Sequence, residues 1–150
     1  MKGSAMHELS PGLAGVPAAK SSISFVNGQT GLLEYRGIGI EALAAHSSFL
    51  ETTFLLLYGE LPTQGKLDQF VADVRLHRRI KYRITDLIKC LPEHGHPMDA
   101  LQAAVAALGM FYPARHVVDR QVQYWSTIRL IAKVPTIVAV KDWSNDIVAY

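Results

Sequence analysis

Apolar positions change their spacing along the chain, and each change marks an element. Residues 1 to 22 hold three glycines, two prolines and four serines with little periodicity, which reads as an irregular leader. Ile23 to Val26 and Leu32 to Tyr35 are short apolar and β-branched runs. The stretch between them, Asn27 to Gly31, offers an Asn-Gly pair and a second glycine that supply positive φ at little cost, so a small β-hairpin is expected.

After Gly39 the spacing becomes helical. Ile40, Leu43 and Ala44 share one face of a short helix ending near His46. Ser48 and Glu51 stand at capping-box spacing ahead of a helix from Phe49 to Tyr58, which is apolar around most of its surface and is expected to be deeply buried. Gly59 ends that helix and Pro62 prevents its resumption. Thr63 or a neighbour opens a longer amphipathic helix, with Leu67, Phe70, Val71 and Val74 on its buried stripe and Arg78 as its last candidate.

A short helix from Ile84 stops with Leu91 at Pro92. Pro97 then opens one from Met98 to Tyr112, with Asp99 near its positive end. Five alanines between Ala100 and Ala107 allow other helices to approach closely on more than one side, which suits a central or interface helix. The last element, Asp119 to about Val140, carries Pro135 inside an apolar stretch, where a kink or a broken ladder is expected. One hairpin and about six helices make the class mainly α.

Composition narrows the function classes. With 49% hydrophobic and 19% charged residues the chain is too apolar for disorder. The most apolar segments, Met98 to Tyr112 and Leu130 to Val140, are shorter than the roughly 20 residues a bilayer requires, so no membrane partner is expected. The net charge of +2 concentrates in the run Arg75 to Arg83. That run could meet nucleic acid, a phosphate-bearing cofactor or only water. A solvated helix face is preferred, because no aromatic platform accompanies the run in sequence, and no nucleic-acid partner is expected. Cys90 is the only cysteine, which rules out an intrachain disulfide and a cysteine-based zinc site and fits a reducing cytoplasm.

The candidate chemical constellations are weak. Gly37-Ile-Gly-Ile-Glu-Ala42 matches a relaxed dinucleotide fingerprint, but more helices follow it where a second parallel strand is needed, so a turn into a helix is preferred. His94 and His96 lie close together in a loop. With no cysteine and only Glu93 and Asp99 nearby, one imidazole bonding backbone at a helix entry is the better reading than a metal site. Cys90, in an apolar stretch, reads as a buried structural thiol. No metal, cofactor-binding or catalytic residue is assigned from the residues themselves.

The run Leu33-Glu-Tyr-Arg-Gly-Ile-Gly-Ile-Glu-Ala-Leu-Ala44 resembles the amino-terminal signature of citrate synthases, and Phe54-Leu-Leu-Leu-Tyr-Gly-Glu-Leu-Pro62 resembles the segment that follows it there. His96-Pro-Met-Asp-Ala-Leu101 and the stretch from Tyr124 to Ala139 are similar to later segments, in the same order. The resemblance covers about residues 12 to 139. It implies the helical large-domain portion of a citrate-synthase-like fold with a small amino-terminal hairpin, over residues 23 to 140. From 141 to 150 the tail departs from the family pattern.

The resemblance further implies an acyltransferase, a homodimer that condenses acetyl-CoA with oxaloacetate, the acetyl-CoA serving as substrate and no cofactor being held covalently. The helices 98–112 and 119–140 would form the dimer surface. The family's catalytic histidines and aspartate belong to later motifs that are absent from these 150 residues. No catalytic residue is therefore carried over, His94, His96 and His116 included, and the chain alone is expected to be inactive. Two alternatives remain: a 2-methylcitrate synthase, which shares these segments and accepts propionyl-CoA, and a non-catalytic helical dimerisation module. Some members of the family are also regulated by reduced nicotinamide cofactor, which this sequence does not decide; the basic run at Arg75 to Arg83 is only a faint hint of it.

Overall fold

The computed structural model describes residues 21 to 146, with side chains to Lys141. The chain divides between Leu61 and Pro62 into two compact units. The expected leader lies outside the described residues up to residue 20, as does the end of the expected tail from residue 147.

In the first unit, β1 (Ser24–Asn27), β2 (Leu32–Tyr35) and β3 (Ile38–Gly39) form an antiparallel sheet in the order β1-β2-β3, followed by α1 (Ile40–His46) and α2 (Phe49–Tyr58). The expected hairpin is present, with Asn27 paired to Leu32 and Ser24 to Tyr35. Its turn works differently from the expectation. Positive φ falls on Gly31 alone in that turn, at 67°, while the Asn27 side chain accepts the N–H groups of Gln29 at 3.1 Å and Thr30 at 3.3 Å.

The third strand was not expected. Arg36 and Gly37 both take positive φ, 52° and 81°, which is the requirement of a two-residue hairpin, and Tyr35 pairs with Ile38 across it. Gly37 to Ala42 is thus a turn, a short strand and a helix start, not a direct turn into a helix. Arg36 is held there from three sides. Its N–H donates to the Ile23 carbonyl at 2.9 Å, and its guanidinium donates to the Leu56 carbonyl at 2.8 Å and to Ser22 Oγ at 3.3 Å.

The capping box of α2 is complete. Ser48 Oγ accepts the Glu51 N–H at 3.3 Å, and Glu51 Oε2 accepts the Ser48 N–H at 2.7 Å. Gly59 closes the helix in the left-handed region at φ 86°, its N–H reaching the Leu55 carbonyl at 2.8 Å. The expectation of deep burial fails. Phe54 and Leu55 are buried, but Phe49 is 72% exposed and Leu57 and Tyr58 are exposed as well. A helix apolar on all sides needs cover on several of them, and these residues lack it.

The second unit contains α3 (Gln64–His77), α4 (Tyr82–Lys89), α5 (Pro97–Phe111) and α6 (Arg120–Asp146). Phe70 and Val74 of α3 are buried as their spacing requires, with Leu67 and Val71 partly so. Arg78 does not join the stripe; it is exposed and caps the helix end. Ile84 and Ile88 of α4, Ala104, Ala107 and Leu108 of α5 and Ile137 of α6 form one hydrophobic cluster. The alanines let α5 sit between α4 and α6, and Ala104 is completely buried. α5 packs against α4 and α6, while α6, which meets α3, α4 and α5, is the helix the others share.

Two expectations about these helices need correction. Cys90 lies at the C-cap of α4 and is exposed, because the buried stripe of that helix passes through Ile84 and Ile88 and leaves position 90 on the other side. α6 continues past Pro135 and reaches Asp146, beyond the expected end near Val140. Pro135 is exposed, so water can serve the carbonyl that its missing N–H leaves unbonded. Among the described residues, no helix is long and apolar enough to cross a membrane.

Two measurements check this account. Ala104→Leu forces extra methylenes between three helices and should destabilise the fold by about 1–3 kcal/mol in a urea melt. Glu51 accepts hydrogen bonds from the Ser48 hydroxyl and backbone, which hold its carboxyl below the ordinary carboxylate range. A depressed folded-state value stabilises the fold above the unfolded carboxylate pKa of about 4.3, and the contribution is lost as pH falls through the folded value. Glu51→Gln should therefore be less stable than the unsubstituted chain at pH 7, with the gap closing in melts run toward pH 3.

Candidate anion-binding cleft

An α-helix leaves its last carbonyls without partners, and α3 meets this with a side chain from far along the sequence. Lys133 of α6 donates to the carbonyl of His77 at 2.7 Å and to that of Arg79 at 2.6 Å. A cation at a helix C-terminus also faces the negative end of the macrodipole. The ammonium therefore stays within the protein, with only 2% of the residue exposed.

The connector beyond α3 forms one wall of an open cleft of about 660 Å³, lined by Arg79, Ile80, Lys81, Tyr82, Arg83, Phe111 and Tyr112. The two aromatic residues at the end of α5 supply the opposite wall. Lys81 Nζ lies 5.2 Å from the Phe111 ring centre and 5.6 Å from that of Tyr112. Tyr112 also meets Arg129 at 4.9 Å and Lys133 at 5.3 Å. One phenol ring thus gathers three cations, each attracted to its π face and each repelling the others. A smaller recess of about 200 Å³ adjoins Tyr112, Arg129 and Lys133.

Lys133 is the buried member of this cluster. Burial first, and then the neighbouring charges of Arg129 and Lys81, lower its pKa below the ordinary lysine range. Arg129 carries a buried Nε with no hydrogen-bond acceptor. A group of cations with no carboxylate among its cleft-lining neighbours is complementary to an anion, and the adjacent rings suit a ligand with a flat group beside its phosphates or carboxylates.

A second buried polar group supports the same corner. Asp73 of α3 is buried and accepts hydrogen bonds from the Tyr124 hydroxyl of α6 and, at 3.0 Å, from Gln69. His77 Nδ1 lies 2.8 Å from the Asp73 carbonyl, and its ring sits 5.2 Å from that of Trp125.

Every arginine and lysine of the basic run is exposed, as a solvated face requires, and part of the run also borders the open cleft. Arg75 and Arg78 are exposed and do not line the cleft, but Arg79, Lys81 and Arg83 do. The aromatic platform missing from the local sequence comes from Phe111 and Tyr112. The only sequence signal for it was a pair of basic residues one turn apart, Arg129 and Lys133, in an otherwise apolar part of α6. His96 performs the backbone role expected of one imidazole: its Nδ1 accepts the Met98 N–H at 3.2 Å as the N-cap of α5. His94 and His116 are exposed and join neither the cleft nor each other. Among the described residues, no group of three or more His, Cys, Asp or Glu side chains is placed to hold a metal.

The helical plan, with α4, α5 and a long α6 packed against one another, is shared with a known enzyme family. The family model for the citrate synthase C-terminal domain matches residues 12 to 145. The chain is 57% identical over 128 residues to a citrate synthase of Synechocystis, a match covering 85% of this chain and 32% of that protein. It is 48% identical over 135 residues to a citrate synthase of Acidithiobacillus ferridurans, covering 87% and 35%. The crystal structure of citrate synthase from Pyrobaculum aerophilum superposes with a TM-score of 0.83 at 32% identity, covering 93% of this chain and 38% of that one. The chain belongs to the citrate synthase family. It spans about a third of the length of the curated relatives it matches.

The Asp73 pair can be tested directly. Tyr124→Phe keeps the ring but leaves a buried carboxylate oxygen short of a donor, and should cost about 1–3 kcal/mol in a thermal or urea melt.

Proposed function

We propose that the chain is part of a citrate synthase, an acyltransferase that condenses acetyl-CoA with oxaloacetate to give citrate and CoA in the tricarboxylic acid cycle of the cytoplasm. The 57% identity to the Synechocystis citrate synthase carries this reading. The fold supports it, and the single exposed cysteine suits a reducing compartment. The motifs that hold the family's catalytic histidines and aspartate are absent from these 150 residues, so the isolated chain is inactive. Its contribution is scaffold: residues 23 to 140 form the helical segment, with 1 to 22 as leader and 141 to 150 as tail.

The same reading makes the whole protein a homodimer through 98–112 and 119–140. Its support is apolar surface left uncovered on those two stretches, at Met98 (53%), Met110 (79%), Leu130 (45%) and Val138 (43%). The cleft beside Tyr112 favours one further element, a regulatory site for a phosphate-bearing nucleotide such as the reduced nicotinamide cofactor used by some members of the family.

A chimera tests the main reading. Residues 12 to 139 should replace the matching stretch of the Synechocystis enzyme and leave a dimer that releases CoA from acetyl-CoA and oxaloacetate, while the isolated 150-residue chain releases none. A folded chimera without turnover would count against the assignment, and turnover by the isolated chain would end the claim that it is inactive.

A further inference from the structure

We propose that His96 is a pH-operated latch on the start of α5: its neutral imidazole holds the first N–H of the helix, and its protonation releases that turn.

The first turn of α5 depends on one residue. Pro97 opens the helix and has no N–H, so the Met98 N–H is the first that the helix must satisfy. It donates to His96 Nδ1 at 3.2 Å. The next two, of Asp99 and Ala100, reach the His96 carbonyl at 3.0 and 3.4 Å. At most helix starts the side-chain acceptor is a serine, threonine, aspartate or asparagine oxygen, which keeps its lone pairs around neutral pH. An imidazole does not.

Protonation acts in two ways here. Nδ1 has one lone pair in the ring plane, so a proton there ends the bond and sets a donor against the Met98 N–H. The imidazolium would also lie at the positive end of the helix macrodipole, where a cation is unfavourable. Both effects have the same sign: the cap is complete with the ring neutral and is lost as pH falls through the histidine range, from about pH 8 to about pH 5. His96 and Met98 are exposed, so the proton comes directly from solvent.

Other charges meet at this corner. Glu93 and His94 lie in the loop, and Asp99 lies in the first turn of α5. The end of α4 carries Asp86, Lys89 and Cys90, and α6 brings Lys141, whose ammonium donates to the Pro92 carbonyl of the same loop at 3.4 Å. Of these residue types only histidine ordinarily changes charge between about pH 5 and 8, which leaves His94 as the competing source of a pH response. The turn that His96 holds is one wall of an apolar recess of about 130 Å³, where Pro97, Met98 and Leu101 face Ile88 of α4 and Ile137 of α6. Release of the turn loosens that wall.

The test follows the 150-residue chain and its His96→Asn, His96→Ala and His94→Asn variants by NMR from about pH 8 to about pH 5. In the unsubstituted chain the Met98 amide resonance should move with the titration of the His96 ring. Amide exchange at residues 98 to 100, corrected for the intrinsic effect of pH, should become about fivefold faster at the acid end, as loss of a helix cap implies. His96→Asn supplies an acceptor that does not titrate and should exchange slowly at both ends. His96→Ala should exchange fast at both ends, and His94→Asn should behave as the unsubstituted chain does.

Titration of the His96 ring without a change in exchange at residues 98 to 100 would overturn the proposal. An acid-induced loss of protection that persists in His96→Asn would do the same, and that comparison stands even if His96→Ala fails to fold. A pH response abolished in His94→Asn would assign the switch to that residue and remove His96 from it.

Discussion

A lysine ammonium buried among helices requires acceptors, and α6 finds them in the carbonyls at the ends of other helices. Lys133 takes those of His77 and Arg79 at the end of α3, and Lys141, 6% exposed, reaches the Pro92 carbonyl beyond α4 at 3.4 Å. Burying an unpaired charge costs several kcal/mol, whereas an orphan carbonyl offers an acceptor that is itself in need of a donor. Lys133 therefore resolves two penalties in one contact, whereas the Pro92 carbonyl that Lys141 meets also accepts the Gly95 N–H. The long helix is tied at two heights, to the end of α3 and to the loop beyond α4, and α3, α4 and α5 all pack against it.

The apolar packing agrees with these ties. Ile128 and Ala132 lie on α6 near the Lys133 level, where α3 presents Phe70 and Val74, and Ile137 lies nearer Lys141, where α4 and α5 contribute Ile84, Ile88 and Ala104. Alanine on α5 is what permits three helices to meet there, since larger side chains would hold them apart. Packing sets the distances between helices, and the lysines tie α6 to the end of α3 and to the loop beyond α4. The connector from α3 to α4 carries Arg79 and Lys81 into the lining shared with Phe111 and Tyr112.

The first unit uses the same device on a smaller scale. Arg36 sits at a positive φ that non-glycine residues rarely adopt, yet its guanidinium donates to the Leu56 carbonyl in the last turn of α2. The side chain at the sheet's second turn thereby serves a helix end twenty positions away. Both units close a helix with a cation supplied by another element, and in both the price of burial is visible as a guanidinium Nε without an acceptor, Arg36 in one and Arg129 in the other.

Local rules determined much of this protein. The capping box at Ser48 and Glu51, the stop at Gly59, the start at Pro97 with one imidazole bonding backbone, and the stripe on α3 each depend on residues within a few positions of one another, so the sequence alone carries them. Ordered family-like segments likewise identified the lineage. What the tertiary structure decided are the features made by residues far apart in the chain: the third strand at Ile38, which needs β2 beside it; the exposure of Phe49 and Cys90, which depends on what reaches those faces; and the burial of Asp73 and Lys133, which as isolated letters read as solvated charges. The cleft belongs to that second group. Its cations were visible at Arg79 to Arg83, but its aromatic wall lies some thirty residues on and its anchor more than fifty, and only the folded chain brings the three together.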